Sequence, residues 1–255
     1  MTRAIDAVTF DIWDTLVRDE SDEPKRAALG LEPKRQARRR LVWEALSREA
    51  PIDLAAVSLA YDTTDAAFSH VWHDQHVTWP VRERLGIVLA GLGRTLPAEA
   101  FAEVVRATEG MEVEVPPDLI EGAAQAVAEL ATRYKLCIIS DAIVSPGRAL
   151  RRLLAHHGIV QHFQGFAFSD EVPHSKPHRD MFQAAADQLG VPFSRMVHIG
   201  DREHNDVRGP HALGMKAILF TAARTKDLEG TTADAVCARH DALVAAIDAL
   251  AGGAQ

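Results

Sequence analysis

Apolar residues gather along the chain in short continuous runs: Ala7-Val8-Thr9-Phe10, Leu136-Cys137-Ile138-Ile139, Gly165-Phe166-Ala167-Phe168, Met196-Val197-His198-Ile199, Ala217-Ile218-Leu219-Phe220 and Ala235-Val236-Cys237. Runs of this length predict strands covered on both faces, as in a parallel sheet. Between them the pattern lengthens to helical spacing, at about 121–132, 146–156, 179–189, 204–213 and 240–251. Strand alternating with helix predicts an α/β fold: a doubly wound parallel sheet with a Rossmann-like core.

The first strand is followed differently. The stretch from about 18 to 114 contains no convincing strand, and its helix-length segments run about 25–49, 53–75, 80–90 and 97–110. Pro51, Pro80 and Pro97 stand where helices would start, and Pro116-Pro117 marks a return to the first pattern. These boundaries predict an α/β catalytic core of 1–17 and 115–255, with an inserted all-helical cap at 18–114.

A chain of 255 residues with 47% apolar content can bury a full core. The net charge of −8 argues against a nucleic-acid partner. Lys25, Arg26, Lys34, Arg35 and Arg38 to Arg40 are a local basic patch that reads as a solvated helix face. The apolar stretch Leu85 to Gly93 is far below the ~20 residues a bilayer needs, so no membrane partner is expected. Asp6 and Asp11 interrupt the first apolar segment, which argues against a signal peptide and for a cytoplasmic location. Cys137 and Cys237 lack metal or redox spacing and read as reduced structural thiols. The pattern leaves the oligomeric state open.

In open parallel sheets ligands bind beyond the carboxyl ends of the strands. Those positions here carry Asp11-Ile12-Trp13-Asp14-Thr15, Ser140-Asp141, and Gly200-Asp201 with Asp206 five residues on. Carboxylates brought to one rim repel each other unless a cation lies between them. Oxygen donors without cysteine or a nearby histidine pair point to Mg²⁺, which takes one or two carboxylates plus substrate phosphate. Ser140 and Lys176 add a hydroxyl and a positive charge suited to phosphate oxygens. Pro177 fits the first turn of a helix, which would fix Lys176 at that helix's positive end.

At these residues the sequence resembles the haloacid dehalogenase-like hydrolase superfamily. Phe10-Asp11-Ile12-Trp13-Asp14-Thr15-Leu16 is similar to its first motif, Ser140 to the second, Lys176-Pro177 to the third, and Gly200-Asp201 through Asp206-Val207-Arg208-Gly209 to the fourth. An insert directly after the first motif resembles the family's helical cap. The resemblance implies a Mg²⁺-dependent hydrolase of small phosphorylated metabolites in which Asp11 attacks phosphorus and becomes an aspartyl-phosphate. It also implies metal ligation by the Asp11 carboxylate, the Trp13 carbonyl and Asp201, with Asp206 close by or acting through water. Lys176 would act in catalysis, and Thr15, Ser140, Asp141 and Trp13 would contact the substrate.

One position departs from this pattern. Phosphatases of the family carry an acid/base Asp two residues after the nucleophile, where this chain has Trp13; Asp14 follows one step later and is the candidate to replace it. An aromatic at that position resembles the 2-haloacid dehalogenases, whose Asp displaces halide from carbon. The complete Gly-Asp-x-x-x-x-Asp pair favours Mg²⁺-dependent phosphoryl transfer over that alternative. A catalytically weak binder of a phosphorylated ligand is a third reading. His70, His73 and His76 with Asp74 allow a cap metal cluster or a proton donor, beside the plainer reading of solvent-facing histidines. Trp43, Trp72 and Trp79 read as cap core.

Overall fold

Six parallel strands form one sheet in the computed structural model, which describes residues 5–172 and 174–252. They are β1 (Ala7–Phe10), β2 (Lys135–Ser140), β3 (Gly165–Phe168), β4 (Met196–Gly200), β5 (Lys216–Phe220) and β6 (Ala235–Cys237), in the order β3-β2-β1-β4-β5-β6. The fold is the expected Rossmann-like α/β architecture with an inserted helical cap. Strand alternation divides the core between two faces. Val8, Phe10, Leu136, Ile138, Val197, Ile199, Ile218 and Phe220 pack with α6 (Ala123–Ala131), α7 (Gly147–His156) and α10 (Leu243–Gly252). Ala7, Cys137, Ile139, Ala167 and Met196 pack against Met181, Phe182, Ala185 and Leu189 of α8 (Arg179–Leu189). Both faces being covered explains why the strands read as apolar runs. The two cysteines are free and buried.

Between β1 and α6 the chain forms α1 (Glu23–Ala28), α2 (Lys34–Glu49), α3 (Leu54–Gln75), α4 (Val81–Gly91) and α5 (Ala98–Glu114). These helices have an apolar cluster of their own, including Val42, Leu46, Val57, Leu85, Val88 and Val104. The single helix expected over 25–49 is two. Gly30 adopts φ +71°, and Pro33 precedes α2 without an N–H to donate, so the chain turns between them. The Arg26 guanidinium holds that turn by donating to the Glu32 carbonyl at 3.0 and 3.2 Å. Pro80 and Pro97 directly precede α4 and α5, as expected. Pro51 does not start α3: Asp53 caps it, its carboxylate accepting the Ala55 N–H at 3.0 Å. The expected helix at 204–213 is a π-helical turn, Glu203–Arg208, followed by the short α9 (Gly209–Ala212).

Polar contacts tie the inserted helices to the sheet. Lys25 Nζ lies 2.6 Å from Asp118, Thr78 Oγ1 donates to Ser169 Oγ at 2.7 Å, and α5 meets α7 through the Glu109–Arg148 ion pair. After β1 the chain leads to β2 on one side, and after β3 it crosses to β4 on the other. The C-terminal ends of β1 and β4 therefore flank the crevice where strand order reverses. No helix among the described residues is long and apolar enough to cross a membrane.

Candidate active site

β1 delivers Asp11 to that crevice. The Asp11 N–H donates to the Ile199 carbonyl at 2.9 Å, which carries the pairing with β4 one residue past the strand and fixes where the carboxylate emerges. Asp201 follows β4 directly, and Asp206 returns to the crevice from the π-helical turn. One oxygen from each of these buried carboxylates lies within 4.8 Å of the others. Gly200 is required where it stands, because a Cβ there would collide with the Asp206 side chain.

Lys176 enters the cluster from the segment before α8. Its Nζ lies 2.8 Å from Asp11 Oδ1 and 2.7 Å from Asp206 Oδ1, and its backbone N–H donates to Asp141 Oδ1 at 2.9 Å. Burial disfavours the lysine's charge, but Asp11, Asp206 and Asp141 outweigh it and raise its pKa. Burial also opposes ionisation of Asp206, yet Lys176 and a hydrogen bond from His198 hold that carboxyl below its ordinary range. Asp201 moves upward, through burial first and then the charges of Asp206 and Asp11. Asp11, Asp201 and Asp206 face the Lys176 ammonium, with the Arg224 and Arg202 guanidiniums 3.5 and 3.9 Å from Asp201 Oδ2 on its outer side. A divalent cation with oxygen preference fits that donor set, with Asp11 and Asp201 as the carboxylates open to it. Asp206 has both oxygens engaged already: Oδ1 by Lys176 and His198, Oδ2 by the Arg202 N–H at 3.0 Å.

His198 is a member of this network that sequence reasoning missed. It faces Thr9 in the β1–β4 register and is wholly buried. Its Nε2 lies 3.1 Å from Asp206 Oδ1, and its Nδ1 lies 2.8 Å from Thr9 Oγ1. Burial lowers its pKa and favours the neutral ring. The carboxylate acceptor assigns the proton to Nε2, and the Thr9 hydroxyl then donates to Nδ1. The signal in the sequence was two polar residues, Thr9 and His198, inside otherwise apolar runs.

Above the carboxylates opens a cavity of about 240 Å³, walled by Asp11, Trp13, Asp141, Lys176, Arg202 and Asp206 below and by Asp19, Lys34, Arg38, Trp72 and Glu112 above. Lys34 is held by Asp22 at 2.8 Å and Glu112 at 3.3 Å. Arg38 Nε and Trp72 Nε1 are buried donors with no hydrogen-bond partner among the described residues. Asp19 is open to the cavity, but protein surrounds it closely enough that burial, followed by the Glu112 charge, pushes its pKa up to about 6. Asp141 is likewise pushed up to about 6, burial outweighing the Lys176 charge.

The structure thus brings Asp11, Trp13, Asp141, Lys176, Asp201 and Asp206 together. Ser140 ends β2 with its buried Oγ unpartnered among the described residues, a hydroxyl free to donate at the same rim. Thr15 is buried, outside the cavity wall, with its Oγ1 also unpartnered among the described residues. Asp14 is not brought to the cavity wall: it sits at φ +52°, and its Oδ1 accepts the Asp19 N–H at 3.1 Å, which orients the loop.

Two readings of the inserted helices need correction. The basic patch is a solvated face only in part: Arg35 and Arg40 are exposed, but Arg26, Lys34 and Arg39 are buried in ion pairs or carbonyl contacts and Arg38 lines the cavity. Trp72 also lines the cavity rather than closing the cap core, whereas Trp43 packs against the cap cluster. His70 and His73 are exposed, with His70 paired to Asp74 at 2.9 Å. His76 turns instead toward His204, with ring centroids 6.0 Å apart.

A sequence model of haloacid dehalogenase-like hydrolases matches residues 5–214. The chain belongs to that family. It is 32% identical over 104 residues to the glyceraldehyde 3-phosphate phosphatase of Methanopyrus kandleri, a match covering 40% of this chain and 43% of that protein. The chain thus spans less than half the length of that relative. Among solved structures it is similar to the HAD-hydrolase YfnB of Bacillus subtilis, described as bound to magnesium, with a TM-score of 0.60 at 17% identity over 96% of this chain and 99% of that one. It is also similar to the L-2-haloacid dehalogenase of Xanthobacter autotrophicus, with a TM-score of 0.55 at 19% identity over 98% and 100%. At these identities the structural likeness establishes the fold.

Proposed function

We propose that this member of the hydrolase family is a Mg²⁺-dependent phosphatase of small phosphorylated metabolites, located in the cytoplasm, with residues 18–114 acting as a cap over a core of 1–17 and 115–255. The observation that carries the reading is Lys176, buried with its Nζ 2.8 Å from Asp11 and 2.7 Å from Asp206 and its N–H on Asp141. That arrangement offers a nucleophile, a fixed cation for phosphoryl oxygens, and a cation-hungry carboxylate pair in one place. The phosphatase named among its relatives supports the same chemistry. Arg38 Nε and Trp72 Nε1, as unsatisfied donors, favour a substrate with a polar acceptor at the end remote from its phosphate.

In this reading Asp11 and Asp201 ligate Mg²⁺, with the Trp13 carbonyl, and Asp206 acts behind them. Bound Mg²⁺ supplies charge for the phosphoryl oxygens. The Asp11 carboxylate attacks phosphorus, the ester P–O bond breaks, and the leaving oxygen takes a proton. Water then attacks the aspartyl-phosphate, releasing inorganic phosphate and restoring Asp11. Lys176 and Ser140 hold the transferring oxygens throughout. Trp13 cannot give the leaving group a proton. Asp19 is the carboxyl assigned that task here, because it lines the cavity outside the metal cluster and its pKa is moved toward neutrality.

The test is phosphate release from a panel of small esters, three-carbon phosphates included, with Mg²⁺ and with chelator, beside halide release from 2-haloacids. Turnover of esters that needs Mg²⁺ and vanishes in Asp11→Asn with the fold intact is the expected result. Halide release that survives chelation, with no ester turned over, would replace this reading with the dehalogenase one. Binding of phosphate esters without turnover would leave the chain a phospho-ligand binder.

A further inference from the structure

A second cavity, also of about 240 Å³, adjoins the active-site cavity and shares Arg38, Trp72, Ile143 and Val144 with it. Its other walls come from α3, α4 and α5, with Tyr61, Phe68, Arg84 and Thr108 among them. Arg84 is only 8% exposed. Its guanidinium carbon lies 4.5 Å from the centre of the Phe68 ring, its Nη2 donates to the Ile143 carbonyl, and its Nη1 is 3.5 Å from Asp65 Oδ1. Arg84 Nε is buried with no hydrogen-bond partner among the described residues, as are Arg38 Nε and Trp72 Nε1 on the shared wall. Three residues of one cavity thus carry dry donors in want of an acceptor, which an apolar occupant would leave unpaired.

Charge decides which acceptor fits. Carboxylates outnumber cations on the walls of the active-site cavity, whereas in the second cavity two guanidiniums, Arg38 and Arg84, face the single carboxylate of Asp65. Asp65 is itself shared, its Oδ2 lying 3.3 Å from Arg39 Nη2, and Arg38 approaches Glu112 no closer than 3.8 Å. We infer that the second cavity holds a compact oxyanion at the far end of the substrate, a carboxylate or a second phosphate, while the first phosphate lies at Lys176. The inference rests on the phosphatase reading above and narrows its substrates to esters that carry an anion at both ends. Arg84 and Arg38 meet the far oxyanion, and the Trp72 indole N–H donates between the cavities. Either cavity alone is smaller than the roughly 300–1,000 Å³ of ordinary small-molecule sites, and the two together fall within that range. Ser140, assigned to the transferring phosphate, and Ile143, whose carbonyl holds Arg84, stand three residues apart after β2, so one loop supports both anion sites.

The experiment uses the full chain in Mg²⁺ and pairs esters that differ only at the far end: 3-phosphoglycerate with glycerol 3-phosphate, 6-phosphogluconate with glucitol 6-phosphate, and fructose 1,6-bisphosphate with fructose 6-phosphate. The first two pairs test a carboxylate and the third a second phosphate. Phosphate release gives kcat and KM, and calorimetry in the Asp11→Asn background gives affinity without turnover. In at least one pair the two-anion ester should be preferred by about tenfold or more, the worth of one charge-assisted hydrogen bond. Arg84→Gln should abolish that preference through KM, with kcat retained. Trp72→Phe, which keeps a ring and deletes one donor, should lose part of it and serves where Arg84→Gln does not fold; thermal melts establish folding. No preference in any pair, or a preference undiminished in the folded variants, overturns the inference, while turnover of the neutral-ended esters still upholds the phosphatase reading. A two-anion preference in binding that Arg84→Gln removes, with no ester turned over, upholds the site and overturns that reading instead.

Discussion

The assignment of Asp19 as proton donor makes a quantitative prediction for Asp19→Asn. A carboxyl at its ordinary pKa of 3.8 is protonated in about one molecule in 1,600 at pH 7, whereas one at about 6 is protonated in about one in eleven. Its setting therefore raises the competent fraction roughly 140-fold. Because the acid form is the active one, turnover of alkyl phosphates should be full below about pH 6 and fall about tenfold per pH unit above it. Aryl phosphates with good leaving groups need no proton and should lack that limb. Asp19→Asn removes the proton but keeps shape and most hydrogen bonds. We expect kcat on alkyl esters to fall by about 10²–10⁴ while aryl turnover changes little. The assay is phosphate release under saturating Mg²⁺ from paired alkyl and aryl esters across pH. Equal losses on both substrates, or an alkyl pH limb that persists in Asp19→Asn, would refute the argument.

What the sequence disclosed follows from where each signal is local. The strands were legible because burial on both faces strips polar residues from a run, and Asp11, Ser140 and Asp201 were legible because they end those runs. The break at Gly30 and Pro33 was missed because helical spacing continues across it, so the turn chemistry was overridden by periodicity. Lys34 and Arg38 were read as solvated because charge on a helix usually is. Their burial depends on Asp22, just before α1, and Glu112, on α5, which leave no trace in local spacing. His198 was hidden for a related reason: its partners, Thr9 and Asp206, are settled by strand register and by the return of the π-helical turn. Asp14 shows the converse. Its adjacency to the first motif suggested chemistry, but a left-handed backbone turns it into the loop.

Lys176→Met should abolish turnover and, in chelator, cost about 3–5 kcal/mol by urea unfolding, because buried carboxylates lose their counter-charge; Mg²⁺ should restore part of it. Asp206 has a folded pKa below its unfolded one, so its stabilisation is present at neutral pH and lost as pH falls through the acid range; Lys176→Met should flatten that loss. His198→Phe should raise the Mg²⁺ concentration needed for half-maximal activity, since Asp206 loses a donor, and His198→Gln should recover most of it by supplying an N–H; equal behaviour of the two variants would deny His198 a positioning role. Trp13→Asp bears on the choice of chemistry. The Trp13 side chain lines the cavity, and its backbone carbonyl is untouched by substitution. If the reaction is phosphoryl transfer limited by proton supply, an acid at 13 should narrow the gap between aryl and alkyl esters, and should make Asp19 less necessary in the double variant. If the indole instead walls an apolar site for a 2-haloacid, a charge at 13 destroys halide release and gives no gain on any ester. The two outcomes move opposite activities, so one variant assayed on both substrate classes separates them.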